Sequence, residues 1–104
     1  MTAYTVVRFR PKAGQHEEFQ TQFCNIVREF EGLRRLALIK TASGDYFSMG
    51  EWETFDHIVA ARPKMSANLD VFRHTLAEFG EGLGVTDAMS GEAILDLSYD
   101  GKIV

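Results

Sequence analysis

The sequence predicts an α+β fold in the order β-α-β-β-α-β, and three observations lead there. The apolar residues recur with a period of two, then at helical spacing, then at two again through a hairpin, and the helical and extended patterns return once more. Gly and Pro fall at the joins between these segments, and each helical segment carries one apolar face. The resulting order is the split β-α-β arrangement, with its four strands in one antiparallel sheet. A chain of 104 residues, 45% hydrophobic and 25% charged, has the composition of an ordinary globular protein, so one domain over 1–104 is expected.

Ala3 to Arg10 are β-branched or aromatic and are followed by breakers from Pro11 to Gly14, which predicts a first strand and a turn. Phe19, Phe23, Ile26, Val27 and Phe30 then recur at helical spacing, so a first helix is expected from about Gln15 to Phe30, ended by Gly32. Leu33 to Thr41 and Tyr46 to Glu53 read as strands joined by the hairpin-length loop Ala42-Ser43-Gly44-Asp45. After Glu53 the helical period returns, and Pro63 predicts a break near Arg62, giving a short helix and then a longer one. In the longer piece Met65, Leu69, Phe72, Leu76 and Phe79 form one core-facing stripe. Gly80, Gly82 and Gly84 loosen the chain into an irregular connection up to Gly91, and a last strand is expected from Glu92 to Tyr99.

Two helices with one apolar face each cover one side of a four-stranded sheet and leave the other open. The strand residues on that open side are not uniformly polar, so a homodimer that hides it face to face is expected.

Composition excludes several function classes. A net charge of -4 gives no footprint for gripping phosphate backbones, so no nucleic-acid partner is expected. The start MTAYTVVRFR lacks the basic and apolar stretches of a signal peptide, and no run reaches bilayer length, so a cytoplasmic protein without a membrane partner is expected. Cys24 is the lone cysteine, which precludes an internal disulfide and a multi-cysteine metal site within one chain. It has Arg28 but no other basic residue obviously placed to activate it, and reads as a bystander. His74 falls opposite the apolar stripe, His16 reads as capping or packing the first helix, and His57 opens the second helix; no pair has metal-ligand spacing. Gly80, Gly82 and Gly84 lack the dinucleotide-binding spacing, so no cofactor is expected there.

On the third strand, alternation places Tyr46, Ser48, Gly50 and Trp52 on one face, with Phe47 and Met49 on the other. If Phe47 and Met49 pack on the helices, Trp52 lines a pocket on the side away from them, with Ser48 and Tyr46 in the same wall and the indole N–H as an orienting donor. The alternative is that Trp52 packs in the barrel or dimer core. Arg8 and Arg10 share a face with Tyr4 and Val6 on the first strand. Arg8 is a candidate to hold an anionic substrate, or else is a rim residue or pairs with a nearby Glu.

Glu51-Trp52-Glu53 closing the third strand, VVRFRPKAG near the start and VTDAMSGEAIL near the end together resemble the antibiotic biosynthesis monooxygenase family over nearly the whole chain. The resemblance implies a ferredoxin-like fold assembled as a dimeric α/β barrel. It also implies cofactor-independent monooxygenation of a small aromatic or polyketide-like substrate, without flavin, metal or haem. In such oxygenases a Trp at the end of the third strand and an Asn four residues earlier help hold a phenolic substrate. Trp52 matches the Trp, Ser48 stands at the Asn position, and Arg73 and Asp70 compete for an Arg expected on the following helix. The haem-degrading pattern is absent, with Val6 and Val7 where it has Asn and Ala61 or a neighbour where it has an aromatic. The rival expectation is a non-catalytic small-molecule-binding or stress-associated dimeric barrel.

Overall fold

The computed structural model describes residues 1–26, 29–97 and 101. Its strands are β1 (Ala3–Phe9), β2 (Leu33–Lys40), β3 (Tyr46–Trp52) and β4 (Thr86–Glu92), and its helices are α1 (His16–Asn25) and α2 (Phe55–Phe72). The strands form one sheet in the order β2-β3-β1-β4, antiparallel at every pairing. This is the predicted β-α-β-β-α-β architecture of ferredoxin-like form. Among the described residues no helix is long and apolar enough to cross a membrane.

Each helix starts where charge and capping favour it. Glu17 and Glu18 occupy the first turn of α1, and Asp56 that of α2, complementing the positive helix end. The Thr54 hydroxyl accepts the His57 backbone N–H at 3.3 Å and caps α2, while the His57 ring nitrogen Nδ1 lies 2.7 Å from the same hydroxyl. His57 is thus part of a helix start. It also lies against Gly32, whose φ of +84° suits glycine.

The helix boundaries differ from expectation in two places. α1 stops at Asn25 with Ile26 extended, short of Phe30, because Asn and β-branched Ile are weak helix formers and because Ile26 and Phe30 each pack on a different apolar cluster. Val27 and Arg28 lie outside the described residues. α2 runs unbroken through Pro63. The carbonyl that Pro63 leaves without its donor belongs to Val59, on the exposed side of the helix where water reaches it.

Beyond Phe72 the chain tightens into a 3-10 turn, Arg73–Thr75, sealed by the Thr75 hydroxyl donating to the Phe72 carbonyl at 2.6 Å. The expected stripe is therefore helical only as far as Phe72. Leu76 is still buried but extended, bridging to Pro11, and Phe79 lies beneath Arg8 and Arg10.

The last strand is also displaced. β4 pairs with β1 from Phe9↔Thr86 to Ala3↔Glu92, whereas Glu92 to Tyr99 was expected. Its sequence, TDAMSGE, lacks apolar alternation because the helices leave most of it uncovered, and backbone pairing with β1 holds it instead. Ile94, Leu95 and Leu97 follow the strand and are exposed, and Ser98 and Tyr99 lie outside the described residues.

Both helices lie on one side of the sheet, where the core collects. One cluster joins Phe9, Phe19, Phe23, Tyr46, Phe72 and Leu76, and a second joins Ala3, Trp52, Ile58 and Ala61. The opposite face carries Val6, Phe47, Ile39 and Met49 beside Tyr4, Arg8 and Glu51.

Candidate ligand-binding site

β3 points alternate side chains to opposite faces, and the set turned toward the helices is Tyr46, Ser48, Gly50 and Trp52, all buried. The expected grouping is correct but its side is reversed, since Phe47 and Met49 face away from the helices and Met49 is 40% exposed. The reason is bulk. The helices bury Tyr46 and Trp52, the two large rings of the set, and the open face receives the more flexible Met.

Trp52 lies across its own strand. Its indole Nε1 donates to Thr5 Oγ1 on β1 at 3.1 Å, and Thr5 is the register partner of Gly50. A Cβ on Gly50 would come within 2.7 Å of the Thr5 hydroxyl and 2.9 Å of the indole nitrogen, so glycine is the residue that lets the ring pass. Phe30 braces the ring from the other side, with centroids 5.7 Å apart at 60°. The indole N–H is thus engaged inside the protein and is not the orienting donor expected for a ligand.

Between this part of the sheet and α2 lies a cavity of about 390 Å³, within the size range of small-molecule sites. Thr5, Val7, Ser48 and Trp52 form its floor, and Ile58, Arg62, Met65, Ser66, Leu69 and Phe72 its roof. Phe23, Ile26, Phe30, Leu33 and Leu36 close one side. Leu33 and Leu36 reach the same wall although three residues apart, because β2 shifts register between Leu33 and Arg35. Thr86, Ala88 and Ser90 of β4 lie along the other side, where Ala88 and Ser90 are exposed and the cavity meets solvent.

Two of the expected site residues, Trp52 and Ser48, come together here. Tyr46 does not: it packs under Phe19, centroids 5.0 Å apart, and its Oη accepts from Gln20 Nε2 at 2.6 Å. Arg8 stands on the opposite face, paired with Asp87 at 3.1 Å and stacked 4.4 Å from the Phe79 ring centre. Arg10, just past the end of β1, binds Asp45 through two hydrogen bonds of 2.8 and 3.0 Å. That pairing, led by the hydrogen bonds, holds the Asp45 carboxyl below its ordinary range. The cluster ties the β2–β3 loop to β1 and lies away from the cavity. Arg73 pairs with Asp70 on the surface, so neither competes for a place in the site.

Sequence reasoning missed Arg62. It lies four residues after Ile58 and four before Ser66, on the edge of α2 that borders the cavity, but the break expected at Pro63 hid that continuity. Among the described residues lining the cavity, Arg62 is the one ionisable side chain. None of the lining residues is a carboxylate, histidine, lysine or tyrosine that would serve as a base. Tyr4, whose pKa is raised first by burial and then by the charges of Asp96 and Glu51, lies on the opposite face.

No protein-family model and no curated protein matches this sequence. Solved structures match its fold. SnoaB, a cofactor-independent oxygenase from Streptomyces nogalater, is 17% identical over 92% of this chain and 96% of that one, with a TM-score of 0.72. Provisionally named antibiotic biosynthesis monooxygenases from Bordetella bronchiseptica and Chloroflexus aurantiacus are 13% and 9% identical. The first covers 90% of this chain and 98% of its own with a TM-score of 0.72, and the second 94% and 98% with 0.70. At these identities the likeness is one of fold, and it is the fold that the sequence resemblance implied.

Proposed function

We propose that the cavity binds a small flat ligand of aromatic or polyketide-like character, and that the chain acts on it as a cofactor-independent monooxygenase. The observation that supports this best is the Trp52-walled, largely apolar cavity with an unengaged hydroxyl at its floor. Ser48 is 8% exposed and, among the described residues, its side-chain hydroxyl makes no hydrogen bond, so it is available to a ligand oxygen. The names of the structural neighbours point the same way.

The chemistry asks little of the protein. A phenol and dioxygen give a quinone and water, so the electrons come from the substrate itself. The protein's part is to exclude water, hold the ring against Trp52 and Phe30, and stabilise the ionised oxygen. With no base among the described lining residues, the substrate would enter already ionised.

The missing base also favours the second reading, a small-molecule-binding protein without turnover. Oxygen uptake with a panel of phenols and hydroxynaphthalenes separates the two. Uptake that falls in Ser48→Ala and Trp52→Phe supports oxygenation. Ligand quenching of Trp52 fluorescence without uptake supports binding alone, and neither signal overturns both. Trp52→Phe is preferable to Trp52→Ala, because truncating a side chain only 2% exposed removes core as well as site.

In this reading the functional unit is a homodimer covering the open face of the sheet, where Ile39 and Met49 stand 42% and 40% exposed.

A further inference from the structure

We infer that the cavity takes an organic anion with a flat apolar body, and that Arg62 sets this preference by pairing with the anionic group. The inference rests on the reading of the cavity as a binding site. Arg62 lines the cavity from the exposed edge of α2, beside the buried stripe of Ile58, Ala61 and Phe72. Arg8, Arg10 and Arg73 each have an aspartate partner, whereas Arg62 has no carboxylate partner among the described residues. Its recorded neighbour is the Phe55 ring, whose centre lies 5.8 Å from the guanidinium carbon. Arg62 is exposed, so it stands where the cavity meets solvent and keeps its hydrogen-bonding fork free. Among the described residues no Asp or Glu lines the cavity to compete for the guanidinium or repel an anion.

The floor supplies the complementary end. Ser48 presents its unengaged hydroxyl, and Thr5, which accepts from Trp52, keeps its own proton to donate. Two hydroxyls below and one cation at the mouth suit a ring system with a neutral oxygen at its deep edge and an ionised group at its outer edge. A guanidinium pairs with the ionised form of an acid, so affinity should follow the ionisation of the ligand.

The test is calorimetric titration of the full chain with matched acids and amides: benzoate and benzamide, naphthoate and naphthamide, anthracene carboxylate and its amide. At least one acid is expected to bind about tenfold or more tightly than its amide, the size of one hydrogen bond to a charged group. Arg62→Gln should abolish that preference by bringing acid affinity down to that of the amide in a protein whose melting curve shows it folded, and Arg62→Lys should restore part of it. Equal affinity for acid and amide, or a preference that survives in Arg62→Gln, overturns the role of Arg62 and leaves the cavity standing. No binding by any acid or amide overturns the anion preference and the binding site together.

Discussion

Gly50 and Asp45 show how much a single side chain, or its absence, decides here. Gly50→Ala places a methyl between the Thr5 hydroxyl and the indole nitrogen, in space that neither can leave without breaking their hydrogen bond. The expected cost is about 1–3 kcal/mol, typical of overpacking, read as a lower denaturation midpoint with a shifted Trp52 emission. An unchanged midpoint would show that the ring has room to move. Asp45 carries a pH prediction. Its folded pKa is depressed below the ordinary 3.8, chiefly by the Arg10 hydrogen bonds, so its stabilising contribution is present above that value and is lost as pH falls through the folded one. Asp45→Asn should therefore differ from wild type in stability at neutral pH, and the gap should close in acid below pH 3.8. A gap independent of pH would assign the effect to packing instead.

Helix α2 carries both the roof of the cavity and a proline, and the two are separable. Pro63 removes one backbone donor on the exposed side, so Pro63→Ala should restore that bond and raise the melting temperature, by up to about 3 kcal/mol of helix stability. A fall in stability would mean that the ring shapes the helix for its place on the sheet. On the inner side Phe72 is 3% exposed and packs against Phe9, Phe19 and Phe23 with ring centroids 5.5 to 5.7 Å apart. Phe72→Ala should cost about 3–5 kcal/mol, a large share of a small domain's stability. Phe23→Ala, at 6% exposed on α1, should behave alike, and chemical denaturation measures both.

The two faces of the sheet have different tasks in the proposed assembly. The helix side holds the core and the cavity, and the other side holds apolar side chains that one copy leaves in water. A second copy should cover them with more than about 1,000 Å² of buried surface. Light scattering at micromolar concentration is expected to give twice the mass of the 11.7 kDa chain. Met49→Glu on β3, away from the cavity, should shift that mass toward the monomer; a wild-type monomer, or a dimer indifferent to this charge, would remove the open face as the interface.

Period and punctuation in the sequence were enough to reveal the order of elements, because the alternation of apolar residues and the placement of Gly and Pro act over a few residues. The pairing of Tyr46, Ser48, Gly50 and Trp52 on one face was legible for the same reason. Which side that face takes was not, since a strand's period is local while its phase depends on what packs above it. β4 was expected too late in the chain, at Glu92 to Tyr99, because an edge strand uncovered by helices needs backbone partners and no apolar alternation. Arg62 escaped because a helix carried through Pro63 by its packing looks, residue by residue, like two. The local pattern determined that Trp52 and Ser48 belong together; only the tertiary structure decided that they face the helices and that Arg62 joins them. The physical reason is that burial is settled between elements distant in sequence.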